Sequence, residues 1–239
     1  LEFRRVLFRS ARVHPYTPDS LAQGVLALCD DLQRRLCGIC GMDAFTLLRF
    51  AHLIGLTLMG AGLIGVFVCD MRSRQTRDLL QFGQLVSLIG VFYDGVVVPG
   101  ALLLMASGTW LIIEFYEGWE FLDVPWLAGM VGLFAFEFIE GNTITRIFFV
   151  RLRRLSRDAA NKGEWTPELI RARGEQLASF THFLDLPMLL VIVSLGALRP
   201  DDWTQFFIGS ALAIAVAGVL NITVPRLYPW NETPSNNAG

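Results

Sequence analysis

Lysine is almost absent from this chain: among its 20 basic residues only Lys162 is a lysine. Charge of either sign is scarce too. Asp, Glu, Lys and Arg make up 18% of the 239 residues, where a soluble domain carries about 25%. No long basic patch accompanies the arginines, which argues against a nucleic-acid partner. Cysteine is equally thin. Cys29, Cys37, Cys40 and Cys69 are too few for a disulfide framework. CGIC at 37–40 has redox-motif spacing, but no βαβ pattern surrounds it. No internal repeat and no catalytic signature stands out, so enzyme activity has no motif to rest on.

What the chain has instead is apolar length, with 53% hydrophobic residues. Thr46 to Val68, TLLRFAHLIGLTLMGAGLIGVFV, contains only Arg49 and His52 as ionisable side chains. As a helix it is ~35 Å long, enough to cross a bilayer core with some tilt. A second apolar stretch runs from Phe82 to about Ile113 and includes Asp94 and Pro99-Gly100. Pro99 removes a backbone donor and clashes with the carbonyl of Gly95, which predicts a kink. A third runs from Val124 to Val150, a fourth from about Phe180 to Leu198, and a fifth from about Phe206 to Val224. DMRSRQTRD, between the first two, reads as a short loop. In the long arginine-rich connection after Val150, Thr166 and Pro167 read as the N-cap and first residue of a helix. The expected fold class is therefore all-α: a polytopic transmembrane bundle of about five helices, four forming a core and one added at the C-terminus.

Residues 1–41 look unlike the rest. LEFRRVLFRS resembles a translated sequencing-adapter sequence, and Met42 directly precedes the first crossing. These residues are expected to be an extension that is partly non-native. A signal peptide would need a longer apolar core than Val25 to Leu28. The bundle is expected to cover 42–228, with a polar tail at 229–239. The loops after the first and third crossings are rich in arginine and the loop after the second has none. The positive-inside rule places both basic loops in the cytoplasm of a bacterial inner membrane, with the native N-terminus outside and the C-terminus inside. The lipid bilayer is the expected partner, with a homo-oligomer or a second membrane subunit left open.

Ionisable groups inside a bilayer are functional candidates by default. Glu137 and Glu140 share a helix face, as do His182 and Asp185, both pairs at i, i+3 spacing. With Asp94 they make a carboxylate and imidazole cluster available to three helices. Such oxygen and nitrogen donors suit a divalent metal on Glu137, Glu140, His182 and Asp185. They equally suit a proton or ion pathway through Asp94, Glu137 and Glu140, or plain structural pairing with Arg146 or Arg49. His52, Gly55, Met59 and Gly62 fall on one face of the first helix, where another backbone or a flat ligand fits closely. His52 with Gly55 and Gly62 is thus a candidate haem b site, or a histidine hydrogen-bonded inside the bundle.

Four segments carry a family resemblance: LLRFAHLIG…GAGL at 47–63, VPGALLLMASGTWL at 98–111, PW…RLRRL through the third helix, and LPMLLVIVSLGALRP at 186–200. From Leu47 to Pro200 the chain resembles the membrane family catalogued as domain of unknown function 2269. More distantly it is similar to HemJ-type protoporphyrinogen oxidases and copper-resistance D-type proteins, small membrane bundles with a histidine in the first helix. That similarity implies haem binding at His52, with Gly62 matching a glycine of the pattern. The HemJ pattern also has a histidine and a lysine after the tryptophan that opens its third helix. Here Trp126 is followed by LAGMVG, with neither, so the resemblance does not carry porphyrinogen oxidation with it.

Overall fold

The computed structural model describes residues 44–115 and 118–229. The expectations for residues 1–41, including CGIC, and for the end of the polar tail lie outside the described residues. The chain divides into two units, 1–47 and 48–239. Of the first, only Ala44–Leu47 is described.

Among the described residues every long apolar run is helical, and five helices are long and apolar enough to cross a membrane. They are α1 (Ala44–Gln75), α2 (Leu79–Phe115), α3 (Pro125–Lys162), α5 (Gln176–Leu198) and α6 (Thr204–Leu227). The short helix α4 (Pro167–Arg173) lies between α3 and α5. A bilayer offers no water to backbone groups, so only segments that satisfy their own hydrogen bonds can cross it.

Two boundaries differ from the sequence expectation. DMRSR is not loop but the last turns of α1, because Asp70 and Arg74 pair at i, i+4 and are buried. α3 continues past Val150 to Lys162. Its extension is amphipathic, burying Phe149, Leu152, Ser156 and Ala159 and leaving Arg151, Arg154 and Arg157 exposed. Thr166 does cap α4, accepting from the Leu169 N–H, with Pro167 as first helical residue.

α2 and α3 each contain one π turn, at Tyr93–Val97 and Gly141–Thr145. In the first, the Val98 N–H reaches Tyr93 O, just ahead of the proline at 99. The wider turn absorbs the crowding that Pro99 causes in an α-helix. The two π turns face each other. The Tyr93 hydroxyl sits where a Cβ on Gly141 would lie, 2.6 Å from it. Arg146 Nε donates to Asp94 Oδ1 at 2.9 Å.

Three apolar clusters hold the bundle. One joins α1, α2, α3 and α4 around Phe82, Val86, Ile89 and Leu152. A second joins α5 and α6 to α3 around Phe183, Leu195, Ala213 and Ala217. A third joins α1, α2 and α5 around Met59, Leu63, Val97 and Leu104. α6 buries only Ala213, Ala217 and Val224 and exposes Phe207, Ile208, Leu212 and Ile222. It is the added C-terminal helix, packed on α5, with Gly209 fitted against Val191. Such extensive apolar exposure is a lipid-facing surface.

Candidate functional site

At the arginine-bearing end of the bundle, α1, α3 and α5 bury polar side chains against one another. Asp70, Arg74, Glu137, Glu140, Thr145, Thr181, His182 and Asp185 are all buried. Burying so many polar groups costs several kcal/mol each unless they are paired, so the arrangement must be read atom by atom.

Arg74 Nε donates to Asp70 Oδ2 at 2.9 Å, and Arg74 Nη2 reaches Ser179 Oγ at 3.3 Å. Asp70 Oδ2 also faces His182 Nε2 at 3.9 Å. The other imidazole nitrogen, Nδ1, faces Asp185 Oδ2 at 3.8 Å. The imidazole therefore stands between two carboxyl groups, one per nitrogen, each just beyond hydrogen-bond length. Phe149 and Phe67 pack around its ring, with centroids at 5.3 and 6.3 Å. On the far side, the carboxyl of Asp185 adjoins that of Glu140, and both act electrostatically on Glu137. Glu140 accepts from Thr145 Oγ1 at 2.8 Å, and Thr145 meets Thr181 Oγ1 at 3.1 Å. This threonine pair ties the π turn of α3 to α5.

A small cavity of about 20 Å³ opens beside the carboxyls. It is lined by Tyr93, Val97, Glu137, Gly141, Asn142 and Asp185 among others. About 10–15 Å³ suffices for one water, given two to four polar partners, and Glu137, Asp185 and Tyr93 supply them. Glu137 Oε1, Asp185 Oδ2 and both His182 nitrogens have no hydrogen-bond partner among the described residues. On its other side the cavity is closed by the apolar cluster of Met59, Leu63, Ala101, Leu104 and Leu189.

The sequence spacing thus brings Glu137, Glu140, His182 and Asp185 together. It does not bring in Asp94, which is partly exposed and paired with Arg146. Nor do the four form a ligand set. Among the described residues no group of three or more His, Cys, Asp and Glu side chains could hold a metal ion.

His52 lies apart, in the other half of α1. Its Nδ1 is 3.1 Å from Ser107 Oγ, whose own proton goes to Leu103 O at 2.6 Å. The glycine face is filled by α2. A Cβ on Gly55 would lie 2.8 Å from Leu104 N, and one on Gly62 would lie 2.6 Å from a Val97 methyl. Gly100 of α2 is as tight, with Met59 N at 2.6 Å from its Cβ position. The glycines admit a helix backbone, and the space a macrocycle needs beside them is taken.

Asp70, Arg74, Tyr93, Thr145 and Thr181 were not legible as site residues. Asp70 and Arg74 carried one signal, their i, i+4 spacing. Arg173 on α4 completes this end. Its guanidinium lies 4.5 Å from the Trp165 ring and 5.1 Å from the Phe82 ring. Burial, with Arg74 nearby, pulls its pKa down to about 10, so it stays charged at neutral pH.

The description "Predicted integral membrane protein (DUF2269)" matches residues 46–200, the span that holds α1 to α5 and the whole buried cluster. The chain belongs to this family. A curated protein from Desulforamulus reducens, named "Probable glycine dehydrogenase (decarboxylating) subunit 2", is 54% identical over 37 residues. That stretch is 16% of this chain and spans 8% of that protein's length, too little to carry an activity across. No solved structure matches the chain. As a DUF2269 member with five apolar spans, the protein is an integral membrane protein in contact with the lipid bilayer.

Proposed function

We propose that this protein is a proton-handling component of a membrane transport process, with Asp70, His182, Asp185, Glu140 and Glu137 as its relay. One observation carries the reading: His182 stands between two carboxyl groups, 3.9 Å from Asp70 and 3.8 Å from Asp185. An imidazole accepts a proton on one nitrogen and releases one from the other, so it passes protons between partners on opposite sides. A shift of about 1 Å would turn either contact into a hydrogen bond. Four carboxyl groups share this site with one guanidinium and one imidazole. With Asp70 paired to Arg74, the other three carboxyls need protons or a cation to balance them. The cavity beside Glu137 has room for the water that a relay uses.

The positive-inside rule supports a cytoplasmic location for the arginine-bearing end, hence for the Asp70 end of the relay, in a bacterial inner membrane. The apolar plug from Met59 to Leu104 argues for a loading site open to one side rather than a continuous proton channel. The cluster favours this over haem binding at His52, whose neighbouring glycines pack against α2.

Proton uptake tests the proposal. In weakly buffered detergent solution with an indicator dye, the wild-type protein should take up more protons per chain on an acid step than His182→Gln or Asp185→Asn. Equal uptake by well-folded wild-type and variant proteins would refute the relay.

A further inference from the structure

We propose that a second site, a groove between α2 and α3 on the outer face of the bundle, binds the phosphodiester headgroup of an anionic phospholipid. Gly90, Tyr93 and Asp94 form its α2 wall, and Arg146, Phe149, Val150 and Arg153 its α3 wall. Arg146 and Arg153 are seven residues apart, two helical turns, so they project from one face of α3 with Val150 between them. The missing side chain at Gly90 is what seats Arg153. A Cβ there would lie 2.6 Å from Arg153 Nη1 and 3.3 Å from its Cζ.

The donors are available. Arg146 uses Nε to hold Asp94 Oδ1 at 2.9 Å, and its terminal nitrogens make no further bond among the described residues. The Arg153 guanidinium has no ion pair or hydrogen bond among them either. Two guanidinium groups and one carboxylate leave the groove a single positive charge, the complement of one phosphodiester. The surroundings are amphiphilic. Val91 and Ile147 are each 60% exposed and Val150 is 45% exposed on either side of the arginines. Acyl chains would cover them. The depth fits as well. From Trp126, at the entry of α3, to Arg146 the helix covers ~30 Å, about one hydrocarbon thickness, which puts the groove at headgroup level. Basic pockets between membrane helices are where anionic headgroups bind. This site is separate from the buried relay and stands whether or not that relay moves protons.

Native mass spectrometry of the detergent-purified full chain, titrated with phosphatidylglycerol or phosphatidylcholine, is the test. Wild-type protein should bind one phosphatidylglycerol in clear preference to phosphatidylcholine. Arg153→Gln breaks no ion pair and should keep the melting temperature while weakening phosphatidylglycerol binding about fivefold. Arg146→Gln should weaken it similarly, and Arg154→Gln, a helical step away, should not. Equal binding of the two lipids would overturn the proposal, as would an equal loss with Arg154→Gln. Displacement of the lipid by soluble glycerol phosphate at matching concentration would show that phosphate alone is the ligand, and would overturn the lipid assignment.

Discussion

His182 Nε2 and Asp70 Oδ2 lie 3.9 Å apart, and that same oxygen already accepts from Arg74 at 2.9 Å. One carboxylate therefore anchors a cation of its own helix and faces the imidazole of another. The pairing of α1 with α5 depends on this geometry, because both partners are buried.

Removing one member of a buried ion pair leaves the other uncompensated, at a cost of about 3–5 kcal/mol. Arg74→Met should lower the melting temperature in detergent sharply. Asp70→Asn, which keeps the shape and one acceptor, should cost less. The double variant Asp70→Asn with Arg74→Met should be more stable than Arg74→Met alone, since no unpaired charge remains. Strict additivity of the two changes would show that the pair is not coupled.

The contact between α1 and α2 is set by glycines, and these are not equivalent. Gly100→Ala drives a methyl against the Met59 backbone, where nothing can rotate away. It should destabilise by about 1–3 kcal/mol. Gly60→Ala meets only a Leu189 methyl at 3.6 Å, ordinary contact distance, and should be close to neutral. Thermal melting of the two variants side by side checks the difference. Equal effects would mean that α1 and α2 are not packed this closely.

α4 is held at the basic end through the Arg173 guanidinium, which lies against both the Trp165 and Phe82 rings. Such cation–ring contacts are worth about 0.5–2 kcal/mol each. Arg173→Ala should loosen α4 and speed chymotryptic cleavage after Trp165, with Arg173→Lys intermediate. Unchanged cleavage in both would show that packing of Leu169 and Ala172 alone fixes α4.

The orientation has its own test. In a background with the native cysteines replaced by serine, Lys162→Cys should resist a membrane-impermeant thiol reagent added to intact cells and react in inverted vesicles. The reverse pattern would turn the bundle over.

Much of this architecture is legible in the sequence because the bilayer leaves few options. The apolar runs define all five crossings, and Thr166-Pro167 marks the start of α4. The i, i+3 pairs Glu137/Glu140 and His182/Asp185 share faces as expected, and α3 and α5 do meet along them. What hydropathy hides is the polar sequence that is nonetheless buried. DMRSR reads as solvated loop, yet Asp70 and Arg74 satisfy each other inside the bundle. The role of Asp94 is also hidden, because its partner is 52 residues away and only the facing π turns bring Arg146 to it. The glycine face of α1 fits a backbone and a flat ligand equally well on paper. Only the close approach of Gly100 and Leu104 chooses the backbone.

In the proposed relay the buried carboxyls exchange protons with water through His182. Infrared difference spectroscopy of the reconstituted protein across a pH titration reads this directly. A carbonyl-stretch band of a buried carboxylic acid should change with pH and shift in deuterium oxide. That band should be lost in Glu137→Gln or Asp185→Asn, and its exchange slowed in His182→Gln. A titration with no such band, or one identical in wild type and all three variants, would rule out the relay.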